Sequence, residues 1–200
     1  MEYSYKFRIY PNATQANLIQ RTFGCTRFVY NHYLAQRIEQ YQTTGKAPTR
    51  YVQDKDLTDL KKQLEWLREV DATALQASIQ TLDTAFQNFF RGVKDGKRGG
   101  YPKFKSKRDH RKSYKSKRVG MNIRVMDDKH IQLPKLGIVR CAVSKKVAGR
   151  ILSATVSQAP SGKYFVSICC TDVEIARLPS TGVVVGVDLG IKTSPSLPMA

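Results

Sequence analysis

Acidic side chains are scarce in this chain. Sixteen Asp and Glu stand against 34 Lys and Arg, for a formal net charge of +18 and an isoelectric point near 9.9. That imbalance excludes a cationic partner and points to an anionic one. Long apolar runs are lacking too. The longest, near Val183 to Val187, is far too short to cross a bilayer. The opening MEYSYKFRIYP has no apolar stretch of the kind a secretory signal needs. Cysteine is sparse: Cys25, Cys141, Cys169 and Cys170 form no CxxC pair, and no histidine stands at ligand spacing. They read as reduced thiols of a cytoplasmic protein without a zinc site.

What is present is enough to fold. Apolar content of 41% and aromatic content of 10% exclude a disordered chain, and 200 residues suit one or two domains with a real core. The charge is uneven. Residues 91–118, RGVKDGKRGGYPKFKSKRDHRKSYKSKR, hold 13 of the 34 Lys and Arg against Asp95 and Asp109, a local charge of +11. No core can bury such a run, because each unpaired buried cation costs several kcal/mol. The run therefore faces water or a polyanion. It reads either as a solvated basic loop or as a nucleic-acid contact surface, with Tyr101, Phe104 and Tyr114 offering flat faces to bases. A membrane fits less well, since no amphipathic basic helix accompanies the charge.

Residues 3–9 alternate Tyr3, Tyr5, Phe7 and Ile9 with polar neighbours, the period of a half-buried strand. Pro11 stops it, and Asn12 with Gln15 suits a helix capping box. Apolar residues from Ile19 to Tyr41 then recur at roughly helical spacing. Gly24 is read as a break into two helices, either a helix-turn-helix or an ordinary hairpin. Leu57, Leu60, Leu64 and Leu67 form a second stripe. Val70 and Leu75 flank Asp71 as a staple flanks its cap, and a third helix is expected to run to about Phe90. From Asp54 to Asp83 there are seven acids against four bases, so this block is mildly acidic and abuts the basic run.

After the basic run the period becomes two. Strands are expected at 121–125, 131–133, 138–143, 151–156 and 164–170, the last two joined by an APSGK hairpin turn. Cys169 and Cys170 must then point to opposite faces. The order suggests an α+β fold in which a small OB-like β-barrel is interrupted by helices. Past a linker at 178–182, VVVGVDLG ends an apolar strand in Asp188. That acid suits a metal ligand, as in RNase H-like nucleases, or a strand-end cap.

Four segments in order, YPNATQANLIQRTFGCTRFVYNHYLAQRI, GYPKFKSKR, LPKLGIVR and GVDLGIK, resemble the N-terminal half of the TnpB (OrfB-type) proteins of insertion sequences, relatives of the type V CRISPR effectors. The resemblance implies an RNA-guided DNA endonuclease architecture. Residues 1–10 and 96–180 would form the wedge barrel, 11–95 the helical recognition insertion, and 182–200 the first strand of an incomplete RuvC domain. Guide RNA and target DNA would be the partners. Asp188 matches the first RuvC carboxylate, a ligand of the Mg²⁺ ions that the full-length family uses to cut DNA. Two-metal chemistry needs several converging carboxylates, and none of the twelve residues after Asp188 is acidic. The chain alone is therefore expected to be inactive. A separately encoded RuvC fragment could complement it. A codon choice for the family-like string FAVTSDG, read one nucleotide later, spells SPSLPMA, residues 194–200, so a frameshifted gene is also expected.

On this reading phosphate contacts fall mainly to Arg91, Lys94, Lys97, Arg98, Lys103, Lys105, Lys107 and Arg108, with Tyr101 and Phe104 stacking or packing closely. Arg50, Gln76 and Gln80 stand as base-edge readers or as solvated surface residues. Two further readings stay open: a nucleic-acid binder without catalysis, and a non-functional product whose unpaired VVVGV edge aggregates.

Overall fold

Strand β1 (Tyr3–Tyr10) buries Tyr5, Phe7 and Ile9 on one face and exposes Lys6, Arg8 and Tyr10 on the other. It belongs to a computed structural model that describes residues 1–96, 100–109 and 112–174. Helix α1 (Ala13–Thr44) starts on a complete capping box. Asn12 Oδ1 accepts from the Gln15 N–H at 2.8 Å, and Gln15 Oε1 accepts from the Asn12 N–H at 3.1 Å. Gln15 Nε2 also donates to the carbonyls of Leu136 and Ile138, which ties the helix start to the sheet.

The break expected at Gly24 does not occur. Helix α1 continues for 32 residues and stops at Gly45, whose φ of +70° suits glycine and whose N–H donates to the Tyr41 carbonyl. A glycine in a helix interior costs only about 1 kcal/mol relative to alanine. The buried residues around it (Phe23, Cys25, Thr26, Val29) pack well enough to carry the helix through. Helix α2 (Arg50–Gln63) is capped by Thr49 and gives way to a single 3-10 turn, Glu65–Arg68. The leucine stripe thus spans two elements, and Leu57, Leu60 and Leu67 are buried. Helix α3 (Ala72–Lys94) begins at Asp71, which accepts from the Thr73 N–H at 3.0 Å with Val70 and Leu75 buried beside it. It runs one turn past Phe90, so Arg91 and Lys94 lie in its last turn, where cations complement the helix dipole.

Six more strands follow among the described residues: β2 (Lys112–Lys117), β3 (Arg124–Val125), β4 (His130–Leu133), β5 (Gly137–Ala142), β6 (Arg150–Gln158) and β7 (Tyr164–Thr171). With β1 they make one antiparallel sheet in the order β2-β6-β7-β1-β5-β4-β3. The chain is therefore α+β, with β2 and β3 at the ends of the pairing. The APSGK turn closes β6 onto β7, with Ala159 N–H donating to the Lys163 carbonyl at 2.9 Å. Two expectations need correction. The stretch 121–125 yields only the two-residue β3, with Met121 exposed and Ile123 buried. And the basic run is not all loop, because its end is strand β2.

Strand β2 explains how a cationic stretch enters a fold. Lys112, Ser113 and Lys115 are exposed, while Tyr114 and Ser116 point inward. Tyr114 meets Phe23 of α1 edge-on, ring centroids 5.7 Å apart. Two cores result. One lines the inner sheet face and takes Ile19, Phe23 and Ala74 from the helices. The other lies among the helices, around Tyr33, Leu34, Leu75, Ile79 and Leu82. Each large aliphatic or phenyl side chain among them contributes about 1.5–3 kcal/mol on burial.

Candidate nucleic-acid interface

The basic segment between α3 and β2 is pinned against the helices. Tyr101 meets Phe86 and Phe89 of α3 edge-on, centroids 5.6 and 5.3 Å apart, and Pro102 is buried. Four residues on, Asn31 of α1 binds the Lys105 backbone twice. Its Nδ2 donates to the Lys105 carbonyl at 3.0 Å, and its Oδ1 accepts from the Lys105 N–H at 2.8 Å. The Lys105 ammonium lies over the buried Tyr30 ring, 4.1 Å from its centroid. Desolvation there pushes the Lys105 pKa down, partly offset by Asp109.

Pinned in this way, the segment forms one wall of a cleft of about 460 Å³. The opposite wall is the middle of α1, where Gln20, Gly24 and Arg27 face Lys105, Lys107, Lys112 and Ser113. A Cβ built on Gly24 would meet nothing within 4 Å, so the glycine widens the cleft without any steric need for it. Asp109 also lines it, among more cations than acids.

The cleft leads onto the sheet. Ser113 is paired with Ser157, Ser157 with Phe165, Phe165 with Arg8 and Arg8 with Ala142, so one row crosses five strands on the outer face. Four inter-strand steps of about 4.8 Å give that row a span of ~19 Å. The next row is Lys115, Thr155, Ser167 and Lys6. Lys6 lies over the Phe165 ring at 4.9 Å, and Arg8 and Arg140 flank the Tyr10 ring at 4.9 and 5.6 Å. The seven strands hold eight Lys and Arg and no Asp or Glu.

The other expected site residues are scattered. Lys103, Phe104 and Arg108 are exposed on the pinned segment, as are the cleft-lining Lys105 and Lys107. Arg91 donates to Asn88 Oδ1 at 2.7 Å near the end of α3, and Lys94 is exposed one turn on. Arg50 is ion-paired with Asp54 at 3.2 Å and lines a different, shallow groove with Thr49 and Tyr51. Gln76 is exposed on α3 and Gln80 half-buried one turn further, neither on the cleft wall. Lys97, Arg98 and Asp188 lie outside the described residues. Sequence reasoning passed over Arg27, Lys112, Lys6, Arg8 and Arg140, along with Asn31 and Tyr30. The alternation of KFR in β1 was the signal for Lys6 and Arg8; nothing local marks the rest.

Among the described residues no three His, Cys, Asp or Glu come together in a way that could hold a metal. The four cysteines are free, and burial pushes the Cys141 thiol up to about 11. No described helix is long and apolar enough to cross a membrane.

Residues 1–46 match the family model of the helix-turn-helix domain HTH_OrfB_IS605. The chain is 33% identical over 199 residues to the "Putative RNA-guided DNA endonuclease" of Streptomyces pristinaespiralis. It is 30% identical over 195 residues to the "Putative RNA-guided DNA endonuclease InsQ" of Escherichia coli K12. The chain belongs to the TnpB (OrfB-type) family. Those alignments take in 97% and 94% of this chain, which spans only 47% and 45% of the two relatives' own lengths. A third relative, the "Virulence protein VsdF" of Salmonella dublin, is 33% identical over 111 residues, 51% of this chain and 91% of that protein. In this TnpB-type chain the segment matched by the helix-turn-helix model is one strand followed by one uninterrupted helix.

Proposed function

We propose that this chain grips guide RNA and target DNA in the cytoplasm, with the OB-like sheet serving as the wedge and the helices as the recognition insertion. The observation that carries this reading is the acid-free outer face of the sheet, continuous through Ser113 with the cationic cleft. Ordinary solvated surfaces mix both signs of charge, and an acid-free face with cations from five of the seven described strands is suited to a phosphate backbone. Aromatic faces at Tyr10, Phe165 and Phe104 add surfaces on which bases can stack. The relatives named RNA-guided DNA endonucleases support the choice of RNA and DNA as ligands.

Asp188, as first RuvC carboxylate and Mg²⁺ ligand, belongs to the same reading but lies outside the described residues. Those residues offer no divalent-metal centre, and no cleavage step is assigned to them.

The test is binding against salt. With six cations on a duplex backbone, log K falls against log[salt] with a slope of about −5. Purified chain titrated into a labelled 20-base-pair duplex from 50 to 300 mM salt gives that slope, and RNA extracted from the preparation is sequenced. A flat salt response with no copurifying RNA would remove the proposal.

A further inference from the structure

The pinned segment holds a contact that a phosphate-binding role does not need. A lysine that waits for a phosphate keeps its ammonium in water, where the polyanion will displace only counterions. Lys105 is exposed and lines the cleft as well, but it differs in what already holds it. Its ammonium already lies on a buried aromatic face, 4.1 Å from the Tyr30 centroid, and its backbone is held at both ends of the peptide pairing by Asn31. Lys103, Lys107 and Arg108, on the same segment, have no such ring contact among the described residues.

We infer that Asn31, Tyr30 and Lys105 form a clamp that fixes the basic segment on α1, and that Lys105 is a positioning residue rather than a phosphate contact. The Asn31 carboxamide stands in for a missing strand partner. It satisfies the Lys105 N–H and C=O, which no strand among the described residues pairs. The ring contact then sets the Lys105 side-chain direction on the cleft wall, and Lys107, two residues on, lines the same cleft without a ring beneath it. With the segment already ordered, a ligand does not have to immobilise it on binding. The clamp deepens the proposed function and rests on it for its purpose, but not for its existence.

Two readouts separate clamp from contact. The first is tryptic cleavage of the free chain after Lys103 and Lys107, followed by mass spectrometry. Asn31→Ala and Lys105→Gln are expected to speed both cuts about tenfold, as local opening becomes easier. Tyr30→Phe, which keeps the ring, should leave them unchanged. The second is the salt slope on the 20-base-pair duplex. Asn31→Ala and Lys105→Gln should weaken binding about three- to tenfold with the slope unaltered, whereas Lys107→Gln should make the slope shallower by about 0.9. If Lys105→Gln also loses about 0.9 in slope while cleavage stays at the wild-type rate, Lys105 is a phosphate contact and the clamp is wrong. If the wild-type chain does not bind the duplex at any salt, the proposed function fails, and the cleavage rates alone still decide the clamp.

Discussion

The helices and the sheet use charge in opposite ways. Residues 13–94 hold eight of the 16 acids, and most of the ones seen have a partner inside the block. Arg37, nearly buried, donates to Gln53 Oε1 at 2.9 Å and to Asp83 Oδ1 at 3.0 Å, and lies over the Phe86 ring. Tyr33 donates to Asp56, and Arg21 pairs with Glu69. In the helical block charge joins one element to the next. In the sheet the cations point outward onto rings and water, and the exposed Arg150–Asp172 pair at 3.5 Å draws its acid from beyond the last strand. Where acids and bases alternate, the chain is holding itself together; where acids are missing, it is addressing something else.

The comparison can be broken most forcefully at Arg37. Asp83→Leu strands a buried guanidinium and should cost about 3 kcal/mol in urea denaturation, with Arg37→Met in the same chain restoring most of it. A loss below about 0.5 kcal/mol would mean the pair is not structural. Next in size, Gly149→Ala should cost ~2–3 kcal/mol. At φ +80° an added Cβ runs into the Thr171 carbonyl oxygen and comes within 2.7 Å of Val173 Cγ2. The sheet face is probed by Ser167→Glu, which sets an acid beside Lys6. Duplex affinity should drop about tenfold while the melting temperature holds, and unchanged affinity would remove the face from the interface.

Gly24→Ala carries the opposite sign. It should raise stability by about 0.5–1 kcal/mol, because the site is helical and open, and a destabilised protein would restore the broken helix. The smallest effect concerns pH. Hydrogen bonds from His130 and then from the Lys129 N–H hold the Asp127 carboxyl below its ordinary value. Its stabilising contribution is therefore full above about pH 3.9 and is lost as pH falls beneath that through the lowered value. Melting curves of Asp127→Asn should lie slightly below wild type at pH 6 and converge with it as the solution is acidified through the lowered value.

Much of this could be read from residue order. Period-two alternation located β1, β4, β5, β6 and β7, and the caps at Asn12 and Asp71 rest on side chains three or fewer positions from their partners. Strand β2 escaped because its inward residues are Tyr114 and the small polar Ser116, so lysines dominate its appearance. Gly24 misled because propensity counts a glycine against a helix, while the burial of Phe23 and Val29 that overrides it is tertiary. The cleft was half legible. Its basic wall is obvious, but Asn31 and Tyr30 meet Lys105 across more than 70 residues, and no local pattern announces such a pairing.

One consequence of the strand order concerns biosynthesis. Strand β1 emerges first, yet both its neighbours lie near the other end of the sheet's sequence, with Tyr5 opposite Ile168 and Ile9 opposite Cys141. At roughly 5–20 residues per second, a ribosome leaves Tyr5, Phe7 and Ile9 unmatched for ~8–30 s before β7 exists. The helices, whose contacts are more local, can assemble in that interval. The newborn chain thus carries a sticky, waiting ribbon until its partner strands are made, and chaperone occupancy during translation should concentrate there.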